Sequence, residues 1–270
     1  MFSMMKADFW RIFRGKGIWI TLVILLLSNL LMAGSFLSDG VDFELEFGVE
    51  IGFEEMEYDD DYVDVGAGLP FYGGNIPTYV TSEIILIFIL PIINFISIAD
   101  FSSGAVGNAI ATGINRKSHY LSKMILSCLI VAIMFISFIF IPTVIVTIFN
   151  GFGGGFAKGT LVMFLGRFLL TMAATSFAIM LSFVTKKAEK VMGIYFLVLF
   201  APNMILHILG QIYGVFRNWV DYEFISSFVQ LDVQYYLSTT DTVRIFVMGA
   251  VVLVLSVVIG LWSFRKAEIR

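Results

Sequence analysis

Residues Ala99 to Lys123 read ADFSSGAVGNAIATGINRKSHYLSK, a polar island between two apolar runs. Val106, Ile110 and Ile114 fall four apart, which sets them on one face of a short helix. The pattern breaks at Gly113 to Asn115 and ends in a basic cluster, Arg116, Lys117 and Lys123. The run before it, Tyr79 to Ala99, and the run after it, Leu121 to Phe149, are each long enough to cross about 30 Å of hydrocarbon at about 1.5 Å per residue. The island therefore reads as a loop between two membrane spans, and the fold follows from finding the other spans.

Composition supports that reading. The 270 residues are 59% hydrophobic and 14% charged, with a mean hydropathy of +0.91. An ordinary soluble domain is about 45–50% apolar and about 25% charged. A soluble chain of this length has too little interior for so much apolar surface, so a bilayer is the expected solvent.

Working outward, Met1 to Gly17 has Phe2, Met5, Phe9, Ile12 and Phe13 on one helical face and Arg11 and Arg14 roughly opposite. That is the pattern of an amphipathic helix lying in the membrane surface. Ile18 to Leu37 is the first span, retained rather than cleaved as a signal peptide because the preceding segment is long and patterned. The second, third and fourth spans are Tyr79 to Ala99, Leu121 to Phe149 with Ser118 as its expected N-cap, and Thr160 to Val184. The fifth is Val191 to Tyr213, interrupted at Pro202-Asn203, and the sixth is Val243 to Phe264. Cys128 lies inside an apolar run and reads as a small core residue. The expected fold is thus an all-α integral membrane protein of six transmembrane helices, a single domain over residues 1–270.

The connection at residues 38–78 is acidic. Twelve of the 21 acids lie between Asp39 and Asp64, alternating with Phe43, Leu45, Phe47, Val49, Ile51 and Phe53, a period of two that suggests a short strand or hairpin. The DDDYVD run lacks the D-x-[DN]-x-[DN]-G order of a calcium loop, so a solvated acidic face is expected, with a weak pull on cationic molecules. Trp219, Tyr222, Phe224, Ile225, Phe228 and then Val233 to Leu237 are too apolar for a free loop, and acids break them too often for a span. Two short helices dipping into the outer leaflet fit them.

Charge sets the orientation. With the N-terminus inside, the inner segments hold 13 of the 17 basic residues, and every inner segment agrees. Both termini are then cytoplasmic, the Asp39 to Asp64 loop is external, and the polar island is internal.

Enzymatic machinery is not evident. No G-x-x-x-x-G-K-[ST] or HExxH occurs, the two histidines, His119 and His207, fall on opposite sides of the spans, and no metal site or nucleic-acid-binding pattern emerges. Arg167, a turn or two from the outer end of its span, is expected to snorkel or to pair with Glu83 at similar depth. Pro91, Asn94, Asn203, His207 and Gln211 are the other polar or helix-breaking features in the spans.

On these features the whole chain resembles the permease subunit of type-2 ABC exporters, the small bacterial kind whose ATPase is a separate polypeptide. The resemblance is carried by the start MMKADFWRIFRGKGIW, by the segment DFSSGAVGNAIATGINRKSHYLSKMI, by the six-span layout with a large outer loop after the first span, and by the short helices between spans five and six. It implies a homodimer in the bacterial cell membrane, seated on two copies of an ABC ATPase that holds Mg-ATP, with no cofactor in this chain. It also implies that residues near Val106 to Ile114 form a coupling helix, with Val106, Gly107, Ile110, Ile114 and Arg116 at the ATPase contact. A path between permeases, lined by Pro91, Asn94, Asn203 and His207, would export an amphipathic peptide or hydrophobic compound. The alternatives from the residues alone are a stand-alone secondary transporter or channel, or a membrane scaffold.

Overall fold

The computed structural model describes residues 2–37, 72–74, 76–80, 84–153, 155–156, 159–220, 222–231 and 238–266. The acidic segment Asp39 to Asp64 with its expected hairpin, Glu83, and Val233 to Leu237 lie outside the described residues. Every regular element among the described residues is helical. Six helices are long and apolar enough to cross a membrane, the architecture of a multi-pass membrane protein.

Helix α1 (Phe2–Arg14) turns at Gly15 into α2 (Lys16–Leu37), the first long helix. A short α3 (Ile76–Tyr79) precedes the second, which is compound. It runs as α4 (Ile84–Ile93), widens into a π-helical turn at Asn94–Ile98, and ends as α5 (Ala99–Ser102). Pro91 lies inside α4 and cannot donate to the carbonyl one turn back, a local defect of the kind that accompanies such wide turns. The polar island forms α6 (Ala105–Ala111), bracketed by Gly104 at φ 72° and Gly113 at φ 90°. Side chains rarely adopt that left-handed region, so these two glycines set where α6 starts and stops.

The third long helix, α7 (Arg116–Asn150), has 35 residues and begins earlier than its apolar run. Asn115, not Ser118, is its N-cap, accepting from the Lys117 amide at 3.0 Å. It continues through Pro142, and at about 1.5 Å per residue it is longer than a hydrocarbon core of about 30 Å, an excess that tilt or protrusion takes up. Helix α8 (Thr160–Thr185) is the central column, packed on α7, α4, α9 (Ala188–Leu199) and α13 (Thr239–Lys266). Its buried side carries Gly166, Thr171, Ala173, Ala174, Thr175, Ser176 and Ala178, small residues that let helices approach closely where no water drives them together. The hydroxyls of Thr171, Thr175 and Ser176 are satisfied within the helix, each donating to the carbonyl four residues back.

Span five is two helices, α9 and α10 (Ala201–Ile212), broken at Phe200, because Pro202 lacks the amide that would continue the ladder. Beyond it come α11 (Arg217–Val220) and α12 (Phe224–Gln230). The outward faces of α2, α10 and α13 are apolar, with Ile20, Leu27, Met204, Val247 and Val258 more than half exposed in the single chain.

Candidate functional site

The end of the bundle that carries α6 holds a buried ionic network. Asp8 and Arg11 come from α1, Asp100 from α5, and Lys123 from the second turn of α7. Lys123 Nζ lies 2.7 Å from Asp8 Oδ2 and 2.5 Å from Asp100 Oδ2. Arg11 Nη1 pairs with Asp100 Oδ1, and its Nη2 is 3.4 Å from Asp8 Oδ1. Two cations thus share two anions. The Lys123 side chain is 1% exposed and that of Asp100 4%, whereas that of Arg11 is 45% exposed and forms the wet edge. Two carboxylates brought together from different helices repel unless a cation sits between them, and Lys123 occupies that position.

Aromatic rings wall the network. Phe101, Phe183 and Phe264 meet edge to face, with centroids 4.7–6.4 Å apart. His119, 3% exposed, packs on Phe183 and Phe264, and neither ring nitrogen has a hydrogen-bond partner among the described residues. Tyr120 reaches the Ser256 carbonyl at 3.4 Å across Gly260, so α7 and α13 are also joined here.

Helix α6 stands at the root of this cluster. Val106 is 2% exposed and packs into the core, with Ile110 half-buried beside it. Gly107 and Ile114 are half-buried, while Asn108, Ala111, Thr112 and Gly113 face out. Arg116 is half-buried and donates from Nη1 to the Arg265 carbonyl at 3.1 Å, closing the loop onto the end of α13. The apolar stripe seen in the sequence therefore fastens α6 to the bundle, and its polar edge is the accessible one.

Pro91 is half-buried, Asn94 is exposed, and both lie on the second long helix. Asn203 and His207 lie on α10, with Asn203 buried and His207 half-buried. The two spans meet where the Tyr195 hydroxyl donates to the Leu86 carbonyl at 3.0 Å. Asn203 has a local role: its Nδ2 donates to Glu223 Oε2 at 3.1 Å and to Ser226 Oγ at 3.0 Å. At the same end of the bundle Arg167 is fully buried rather than snorkelled. Its Nη1 donates to the Pro77 and Val80 carbonyls at 3.2 and 3.0 Å, and its Nη2 to the Leu231 carbonyl at 3.4 Å. The guanidinium thereby ties α3 and the end of α12 to the central helix. A groove of about 630 Å³ between α7 and α8, walled by Phe140, Val144, Ile148, Phe152 and Leu161, is apolar.

Among the described residues no cluster of three or more His, Cys, Asp or Glu is placed to hold a metal ion. No family model matches the chain, no curated protein is similar enough to compare with it, and no solved structure matches it.

The sequence groups Lys123 with Arg116 and Lys117 as a basic cluster, whereas the structure buries it between Asp8 and Asp100. One signal was present: Asp8 is the only acid in an otherwise basic start, one turn from Arg11. Glu223 counts in the sequence only as one of the acids that keep the segment after span five from crossing, because nothing in its neighbourhood announces Asn203 as its partner.

Proposed function

We propose that this chain is the membrane-spanning permease subunit of an ATP-driven exporter whose ATPase is a separate polypeptide. Two copies of the chain would sit on two ATPase subunits that bind Mg-ATP, with both termini cytoplasmic in a bacterial cell membrane. α1 then lies along the inner membrane surface, α6 is the coupling helix, and α11 and α12 are the short outer-leaflet helices. The passenger is an amphipathic peptide or hydrophobic compound.

The observation that carries the proposal is the attachment of α6. Asp100, one turn before α6, is paired to Arg11 on α1 and to Lys123 on α7. A push on α6 therefore acts on three segments at once: the surface helix, span two and span three. Separating Lys123 from Asp8 of α1 and from Asp100 costs about 3–5 kcal/mol as a buried pair, to which the half-exposed Arg11 adds no more than about 1 kcal/mol, so the three move together more readily than they part. The exposed edge at Asn108, Ala111 and Thr112 is left for the ATPase groove. A nucleotide-dependent switch also requires that this contact differ between two states, since docking alone shifts no equilibrium.

A secondary carrier receives less support. Its coupling ion calls for charged groups at mid-depth, whereas Lys123 and Arg167 sit towards opposite ends of the bundle and are compensated there. The test is copurification and ATP turnover in lipid. Wild-type chain should retain a nucleotide-binding subunit and modulate its turnover, and Asn108→Trp should weaken that retention. A chain that retains no such subunit, or retention indifferent to Asn108→Trp, counts against the proposal.

A further inference from the structure

Glu223 is a buried carboxylate with one oxygen unserved. It is 7% exposed, as is Asn203, and Ser226 is 8% exposed. Oε2 is saturated: it accepts from the Asn203 amide at 3.1 Å and from the Ser226 backbone amide at 3.0 Å. Oε1 has no hydrogen-bond partner among the described residues. No Lys or Arg pairs with Glu223 among them either. Arg244 is engaged elsewhere, by Asp241 at 3.3 Å, by Gln230 at 2.6 Å and by the Tyr222 ring at 4.5 Å. Glu223 is the N-cap of α12, which serves Oε2; the buried and unserved Oε1 leaves room for one further donor, which a cation would supply.

The surroundings favour an organic cation. Tyr222 and Met204, the chain neighbours of Glu223 and Asn203, are both more than 60% exposed, which puts an aromatic ring and a flexible thioether on the surface beside these residues. Such surfaces accept alkylammonium groups and the apolar chain attached to them. A single carboxylate with amide and hydroxyl neighbours provides too few oxygens for a bare calcium ion, which takes about 6–8. With six crossings, the connection between spans five and six falls on the same side as the one between spans one and two. That second connection holds Asp39 to Asp64, whose twelve acids raise the local concentration of cations.

We propose that Glu223 Oε1, framed by Asn203 and Ser226, binds the ammonium group of an amphipathic molecule at the acid-rich side of the membrane. This rests on the transport reading and narrows the passenger to cationic amphiphiles. The binding itself needs no ATPase.

The test uses the full chain in zwitterionic lipid nanodiscs, with octylammonium as the probe, octanol as its neutral counterpart and empty nanodiscs as the blank for partitioning. Equilibrium dialysis should show octylammonium retained above the blank and octanol not. Glu223→Gln should weaken retention at least about tenfold, in line with the loss of one charge-assisted contact, and Glu223→Asp should keep it. Helical circular dichroism checks that both variants are folded. Should the Gln variant fail to insert, the wild-type comparison alone decides, because equal retention of octylammonium and octanol overturns the proposal. Retention unchanged by Glu223→Gln also overturns it, as does displacement of octylammonium by sodium at equal concentration, which would make this an inorganic-cation site. Retention without any effect on ATP turnover would sustain the site and count against the exporter.

Discussion

Replacing Lys123 by Met keeps the length and most of the volume of the side chain and removes its charge. The Lys123 ammonium is 1% exposed and is the shared partner of Asp8 and Asp100. Without it the two carboxylates face each other across a site walled by Phe101, Phe183 and Phe264, and only Arg11 remains. That guanidinium is 45% exposed, so screening by water limits what it can recover. Breaking a buried pair in this way costs about 3–5 kcal/mol, against a total stability of about 5–15 kcal/mol for a folded domain. The assay is equilibrium unfolding in mixed micelles, followed by tryptophan fluorescence. Removing Asp8 as well, in Lys123→Met/Asp8→Asn, leaves one cation and one anion, Arg11 and Asp100. The double variant should therefore recover part of the loss, with an interaction term of about 1–3 kcal/mol. A Lys123→Met variant within about 0.5 kcal/mol of wild type, or strictly additive effects of the two changes, would refute the network as described.

Other consequences follow from single contacts. Arg167→Met leaves the Pro77, Val80 and Leu231 carbonyls without their donor at a cost of about 1–3 kcal/mol per buried group. Hydrogen exchange should then rise across residues 76–80 and at α12 while α1 and α6 keep their protection. Gly260→Ala puts a Cβ against the Tyr120 hydroxyl, and the overpacking should lower stability by about 1–3 kcal/mol. Tyr120→Phe in the same chain should return part of that, as thermal melts in detergent would register. Arg11→Gln removes a half-exposed partner and should cost no more than about 1 kcal/mol in the same unfolding assay, well below Lys123→Met.

The long helices were legible because a bilayer-crossing helix must be apolar over its whole length, and that signature needs no tertiary information. Their ends were less so. Helix α7 starts at Arg116 because Asn115 caps it, five residues before its hydrophobic run, and polarity alone hides those first turns. The wide turn at Asn94–Ile98 was announced only by Pro91, three residues ahead. Arg167 is costly in a span and Asn203 marks a break in one, yet their partners, backbone carbonyls for one and Glu223 for the other, come from segments 20 to 90 residues away. The ionic network was hidden for the same reason, since positions 8, 100 and 123 become neighbours only when α1, α5 and α7 converge. Val106 and Ile110 share a face of α6, but the helix ends at Ala111, so Ile114, expected on the same stripe, lies beyond Gly113 and outside it, and periodicity does not say whether that face meets a partner or the chain's own core.

The side of the membrane on which α6 stands, and what covers it there, is read most directly by one cysteine. In a chain carrying Asn108→Cys and Cys128→Ser, a membrane-impermeant maleimide should fail to label intact cells and should label inverted vesicles. Addition of the ATPase subunit should then protect position 108. Labelling from outside intact cells, or a position that no added subunit shields, would contradict the account.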